Sequence, residues 1–296
     1  MTMKYRKSAG ERTFDTLNCL LMIILILVTL YPCYYVLVAS LSDPSRIYEG
    51  SGMLLWPKGF VTGAYKSVLS YTQLWVSYAN TALYVVSGGF LSTLITVMTA
   101  FALTRKGLPF KNLVMMLILF TMYFSGGLIP TFIVIRNLHL VDTRWVVILL
   151  PLINTYNLII TISYFKGLPY ELEEAAKIDG ANDYRILFQV MVPIAKPIIA
   201  VITLYYMVSL WNSYFNEMIY LTSRSKFPLQ LVLREILIQN DTASVGGAAS
   251  NAGDVQSYAE NLKFAVIVVS TVPILCIYPF VQKYFVKGVT IGAVKG

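Results

Sequence analysis

Six stretches of this chain are long and apolar enough to cross a bilayer. A helix needs about 20 mostly apolar residues to cover about 30 Å of hydrocarbon at about 1.5 Å per residue. The stretches lie at about 17–39, 83–103, 113–135, 145–165, 193–219 and 262–284. The fold class they imply is an all-α integral membrane protein with six transmembrane helices. A single domain then covers 17–285, between a 1–16 N-terminus and a 286–296 tail. Composition agrees: 57% of the residues are hydrophobic and 13% charged, against about 45–50% and about 25% in soluble domains.

Lys and Arg set the expected orientation. With the N-terminus in the cytoplasm, the short inner segments hold Lys4, Arg6, Lys7 and Arg12, then Arg105, Lys106 and Lys111, then Lys166, Lys177, Arg185 and Lys196, and finally Lys283, Lys287 and Lys295. The basic residues on the other side are spread over longer loops. This density places both termini inside, in a multi-pass protein. The first apolar run is longer than a signal-peptide core and lacks a small-x-small site, so it is read as a retained helix. The net charge of +8 is a loop bias; no basic stripe with interleaved aromatics points to nucleic acid.

Two outer loops are long, 41–76 and 222–261. The first carries Trp56-Pro57 and can fold as a cap. The second contains "ASVGGAASNAGDVQ", flexible by composition or ordered on meeting a partner. No internal repeat is visible, and no charge sits near the middle of a span. Cys19, Cys33 and Cys276 fall inside apolar runs and read as small apolar residues. His139 is the only histidine. With no P-loop, no metal-ligand spacing and no nucleophile–base set, the chain is expected to be no enzyme and to hold neither cofactor nor metal.

The inner connection 166–192 departs from its surroundings. Pro169 can open a helix. Glu171, Glu173 and Glu174 fall in its first turns, favoured by the helix dipole. Leu172, Ala175 and Ala176 form one narrow apolar face. Gly180 suits a left-handed stop, and Asn182 or Asp183 can cap a second helix. Tyr184, Leu187, Phe188 and Met191 make that helix's stripe, and Pro193 and Pro197 begin the next span. A helix-turn-helix against the inner membrane face follows. It either docks on a partner or rests on lipid; lipid-resting helices favour Lys and Arg on the polar face, and this one is acidic.

"EAAKIDGANDYRILFQVMVP", residues 174–193, resembles the EAA signature of ABC importer permeases. The matching positions are Glu174, Ala175, Ala176, Gly180, Val190, Val192 and Pro193, with Val where Ile and Leu are commoner. "SDPSRIY", "LWPKGF", "FSGGLIPTFIVIRNLHLVDT", "SLWNSYFNEMIYL" and "KGVTIGAVKG" are similar to the maltose-transporter class of carbohydrate permeases. The "SGGLIPTFIVIRNL" stretch is most similar to its LplC and YtcP subgroup, which takes up polysaccharide, lipo-oligosaccharide or uronate oligomers.

The resemblance implies a type I ABC importer permease fold, with 171–180 as a cytoplasmic coupling helix for an ATPase subunit. The coupling residues are then Glu174, Ala175, Ala176, Asp179, Gly180 and Pro193. The resemblance also implies a second homologous permease, two ATP-binding cassette subunits that use ATP and Mg, an extracytoplasmic solute-binding protein, a carbohydrate solute and a bacterial cell membrane. For the solute path, amides and hydroxyls beside stackable aromatics suit sugar rings. Trp211, Asn212, Tyr214, Asn216, Asn154 and Asn157 supply them, or else join helices. The alternative is a secondary transporter or channel with no ATPase. A membrane enzyme and a scaffold are further alternatives.

Overall fold

The computed structural model describes residues 9–47, 53–238 and 261–276. Among them every regular element is helical, apart from one isolated bridge between Ser42 and Phe60. In chain order the helices are α1 (Ala9–Ser40), α2 (Pro44–Ile47), α3 (Gly63–Ser70), α4 (Thr72–Thr104), α5 (Lys111–Tyr123), α6 (Leu128–Asn137), α7 (Arg144–Leu149), α8 (Thr155–Lys166), α9 (Glu171–Ile178) and α10 (Asp183–Arg185). A π-helical turn, Ile186–Met191, leads into α11 (Val192–Ile194), α12 (Lys196–Asn212) and α13 (Phe215–Tyr220). A 3-10 turn, Arg224–Lys226, precedes α14 (Leu229–Ile238), and α15 is Asn261–Cys276.

Among the described residues two unbroken helices, Gly10–Ser40 and α4, are long and apolar enough to cross a bilayer. Three of the other apolar runs are interrupted. The third, expected over 113–135, bends by 119° between α5 and α6. Gly126 and Gly127 lie at the bend, and Gly127 takes a φ of +85° that a side chain would resist. The fourth, expected over 145–165, stops at Leu149 and restarts at Thr155. Pro151 brings no N–H there, and the Asn154 carbonyl Oδ1 accepts from the Asn157 N–H at 3.1 Å to cap α8.

The fifth run does not begin at Pro193. Pro193 and Ile194 close the segment Asp183–Ile194, and α12 leaves it at 87°. Pro197 is tolerated because the first N–H groups of a helix have no intrahelical partner. At its other end the run breaks at Ser213, whose backbone is extended. In the sixth run 277–284 lies outside the described residues, as do 1–8, the polar run of the second outer loop and the 286–296 tail.

The chain divides into two units. The first comprises Met1–Tyr71 and Ile236–Val272. From 20 to 30 nearly every side chain of α1 is a large, exposed apolar one. Lipid, which offers no backbone partner and favours self-satisfied helices, is the solvent that suits it. The end of α1 is different: Val38 and Ala39 are buried with Ile47 and Leu54, against Tyr35 and Phe264. Asn261 Nδ2 donates to the carbonyls of Ala39 (3.2 Å) and Ser42 (2.7 Å). The Asp43 N–H reaches Lys58 O at 2.9 Å and the Val61 N–H reaches Leu41 O at 3.0 Å. The described part of loop 41–76 is thus a folded cap, with Trp56 and Phe60 left exposed on it.

The second unit comprises Thr72–Glu235 and Pro273–Gly296. Its axis is α4, which packs against α8 and α12. Gly88 and Gly89 permit this approach: a Cβ would lie 2.9 Å from Leu210 Cδ1 or from Met207 Cγ. Hydroxyls join the helices, with Thr93 Oγ1 3.1 Å from Thr203 Oγ1 and Thr96 Oγ1 2.7 Å from Tyr206 Oη. Toward one end lies an apolar cluster that includes Phe101, Leu103, Leu158, Phe165, Ile186, Leu187 and Met191.

At the other end of α4 hydrogen bonds hold the segment 221–229, which overlaps the start of the 222–261 loop expected to be flexible or to order on meeting a partner. Asn80 Nδ2 donates to the carbonyls of Ser225 (2.8 Å) and Phe227 (3.1 Å), and Tyr84 Oη donates to Lys226 O at 2.8 Å. Asp142 accepts from the N–H groups of Thr222 and Ser223, and from Lys226 Nζ at 3.0 Å. The Ser223 side-chain and backbone bonds hold its carboxyl well below the usual carboxylate range, assisted by Lys226.

Candidate functional site

Helix α9 begins where the Tyr170 carbonyl accepts from the N–H groups of Glu173 (3.0 Å) and Glu174 (3.1 Å). Its three glutamates do not share one role. Glu173 is buried, 7% exposed, and forms an ion pair with Arg105 and another with Lys177 at 2.8 Å. Burial pushes its carboxyl up, but the Lys177 and Arg105 cations outweigh burial and lower it. The same contact with Glu173 raises Lys177. Glu171 and Glu174 point outward.

The apolar residues of α9 are also divided. Ala176 packs against the apolar cluster, while Leu172, Ala175 and Ile178 are exposed, Ile178 at 81%. The expected single face of Leu172, Ala175 and Ala176 is therefore corrected. The inward face is Glu173 and Ala176. The outward one is Glu171, Glu174, Ala175 and Ile178, about 100° per residue placing 174 and 178 one turn apart.

The stop after α9 is a Schellman turn. The Ala181 N–H donates to Ala176 O at 2.9 Å, and the Gly180 N–H to Lys177 O at 3.0 Å. Gly180 has φ +78°, and Asp179 is the exposed cap residue before it. Asn182 Oδ1 accepts from the Arg185 N–H at 2.9 Å and caps the next helix. The stripe expected there shifts. Ile186, Leu187 and Met191 are buried, whereas Tyr184 and Phe188 are exposed. The cause is the π register, which pairs i with i+5 and carries the 186–191 spacing onto one face. Pro193 is exposed on α11.

The residues expected along a solute path do not form one lining. Trp211 and Asn212 end α12, and Tyr214 and Asn216 flank the start of α13. Asn212, Tyr214 and Asn216 are exposed and Trp211 is half-buried. Asn212 Nδ2 donates to Val208 O at 2.9 Å. Asn154 is committed to capping α8, its N–H donating to Tyr206 Oη at 2.9 Å. Asn157 is buried.

Of the six, only Asn216 lines the cavity at the α12–α13 break. That cavity also has Ser209, Ser213 and Glu217 on its wall, with Val146 and Pro151 opposite. Its volume is about 80 Å³, well below the ~300–1,000 Å³ of ligand pockets. Glu217 is 3% exposed, and Ser213 Oγ lies 2.9 Å from each of its oxygens. Glu217, which is not one of the six residues expected along the path, is the one carboxylate in the same polar run.

Comparison with known proteins places these features. Residues 78–291 match the model of the family described as binding-protein-dependent transport system inner membrane component. Protein LplC of Bacillus subtilis is 38% identical over 286 residues, covering 96% of either chain. The polygalacturonan/rhamnogalacturonan transport system permease protein YtcP of the same organism is also 38% identical, over 97% of this chain and 99% of its own. Among solved structures, a chain of a bacterial ABC transporter involved in the import of the acidic polysaccharide alginate superposes with a TM-score of 0.84. It is 34% identical and is matched over its whole length and 95% of this one.

Proposed function

Because the chain belongs to the family of binding-protein-dependent transport system inner membrane components, we propose that it is the permease through which a bacterial ABC importer admits oligosaccharides or fragments of polysaccharide. It is a non-catalytic membrane subunit whose work requires an ATPase and a solute-binding protein. The finer assembly that we infer has a second homologous permease, two ATPase subunits that hold ATP and Mg, and six crossings with both termini cytoplasmic. The unbroken α1 and α4 support those crossings, as do the apolar helices on either side of each bend.

The observation that carries the coupling role is the outward face of α9. Glu174, Ala175 and Ile178 stand free of the chain's own core, while Glu173, Ala176 and the Gly180 turn fix the helix to it. A small-faced, acidic helix so held can seat in a partner's groove. There Glu174 can accept charge-assisted hydrogen bonds. Exposed Leu172, Ala175 and Ile178 beside the acidic Glu171 and Glu174 suit a protein partner better than lipid, whose resting helices favour Lys and Arg on the polar face.

The test is co-purification. The ATPase subunits are expected to purify with the wild-type permease and to be lost on Glu174→Arg, with the permease still inserted in the membrane. A wild-type permease that transports solute with no ATPase attached would sustain the secondary-transporter reading instead.

A further inference from the structure

Arg105 and Lys106 directly follow α4, and the charge bias of the loops accounts for their presence without giving them contacts. The structure gives both of them contacts on the coupling segment. Arg105 is only 16% exposed at its side chain. Its guanidinium lies 4.0 Å from the ring of Phe101, one turn back on α4, and it pairs with Glu173 of α9. Lys106 Nζ lies 3.5 Å over the ring of Tyr170, the residue before α9. Tyr170 and Glu173 are three residues apart, hence neighbours on one side of the segment. Two successive cations just after α4 thus hold Glu173 of α9 and Tyr170 immediately before it. Lys111 Nζ steadies this corner by donating to Arg105 O at 3.3 Å.

A topology marker needs only to stay in water, whereas a guanidinium withdrawn from water needs a partner. Arg105 has a carboxylate that is itself buried, so the pair is a built contact. Helix α9 is joined covalently to α8 and to the segment leading to α12. It has no covalent neighbour in α4, the helix on which α8 and α12 both pack. We propose that Arg105 and Glu173, with Lys106 on Tyr170 beside them, form a clasp that carries displacement of the coupling helix into α4. Arg105 is in this sense a positioning residue. The proposal rests on the docking role of α9 stated above.

The experiment uses the assembled transporter in lipid, with amide hydrogen exchange measured with and without a non-hydrolysable ATP analogue. Two stretches are followed, 171–180 and the Arg105 end of α4, 98–106. Removing one member of a buried pair leaves the other charge uncompensated, while removing both is close to neutral. The informative variant is therefore Arg105→Gln with Glu173→Gln.

In the wild-type complex the nucleotide is expected to alter exchange in both stretches. In the double variant the ATPase still co-purifies and 171–180 still responds. The response of 98–106 falls at least about fivefold, the low end of coupling between sites. Arg105→Lys keeps most of that response. A wild-type response at 98–106 in the double variant overturns the clasp, and so does loss of the ATPase from that variant. A wild-type complex in which 171–180 ignores nucleotide overturns the docking role itself.

Discussion

Single residues in the 171–180 segment meet different surroundings. Glu173 and Glu174 are adjacent and chemically identical, yet one is buried on two cations and the other faces outward. Their order along the chain does not reveal this; a rotation of about 100° between them does. Gly180 is the opposite case, since its role was legible from the sequence. Its φ of +78° suits glycine, and a Cβ there would meet nothing within 4 Å. The cost of a side chain is thus conformational, about 1–2 kcal/mol for an L-residue in the left-handed region. Gly180→Val is expected to loosen the Schellman turn and lower solute transported per ATP hydrolysed, with membrane insertion unchanged. Wild-type transport stoichiometry in that variant would count against the turn's role.

Among the helices, the contact between α4 and α12 shows what small residues accomplish where lipid supplies no hydrophobic drive. Gly88 and Gly89 let α12 approach until a Cβ would sit 2.9 Å from Met207 or Leu210. Thr93, Thr96, Thr203 and Tyr206 then meet within hydrogen-bonding range. Gly89→Val forces the Met207 side chain aside and separates the helices; overpacking of this kind costs about 1–3 kcal/mol. Thermal unfolding of the detergent-solubilised protein is expected at a lower temperature for Gly89→Val than for Gly126→Ala. At Gly126 the nearest atom to a Cβ is Pro130 Cβ at 3.9 Å. Equal unfolding temperatures would show that the close approach contributes nothing. The bends between α5 and α6 and before α12 belong to this scale as well. Hydropathy over a window of 20 residues sums across a bend and registers one run.

For the whole molecule, transport requires more than the cavity of about 80 Å³ at the α12–α13 break, which has no room for a sugar ring with its hydroxyls, or the roomier hollow of about 380 Å³ beside Phe132, Arg136, His139 and Val141, which lies open at the surface. The solute path is therefore expected along surfaces that partners complete, where Trp211, Asn212 and Tyr214 are at least partly exposed. Trp211→Ala with Asn212→Ala is expected to reduce uptake of oligosaccharides by membrane vesicles at least tenfold, about 1.4 kcal/mol per decade, with assembly intact. Normal uptake would remove both from the path. The sequence alone determined the helical membrane class, the EAA-like segment at 174–193 and its left-handed stop at Gly180. Each of these rests on local chemistry, namely apolar length, spacing and backbone freedom. Tertiary structure decided which glutamate of α9 is buried, which apolar runs bend, and that Asn80, Tyr84 and Asn154 hold the fold together. The pairings among those outcomes depend on partners far along the chain, such as Arg105 for Glu173 and the carbonyls of 225–227 for Asn80 and Tyr84. Only packing brings such groups within the 3 Å or so at which hydrogen bonds and ion pairs act.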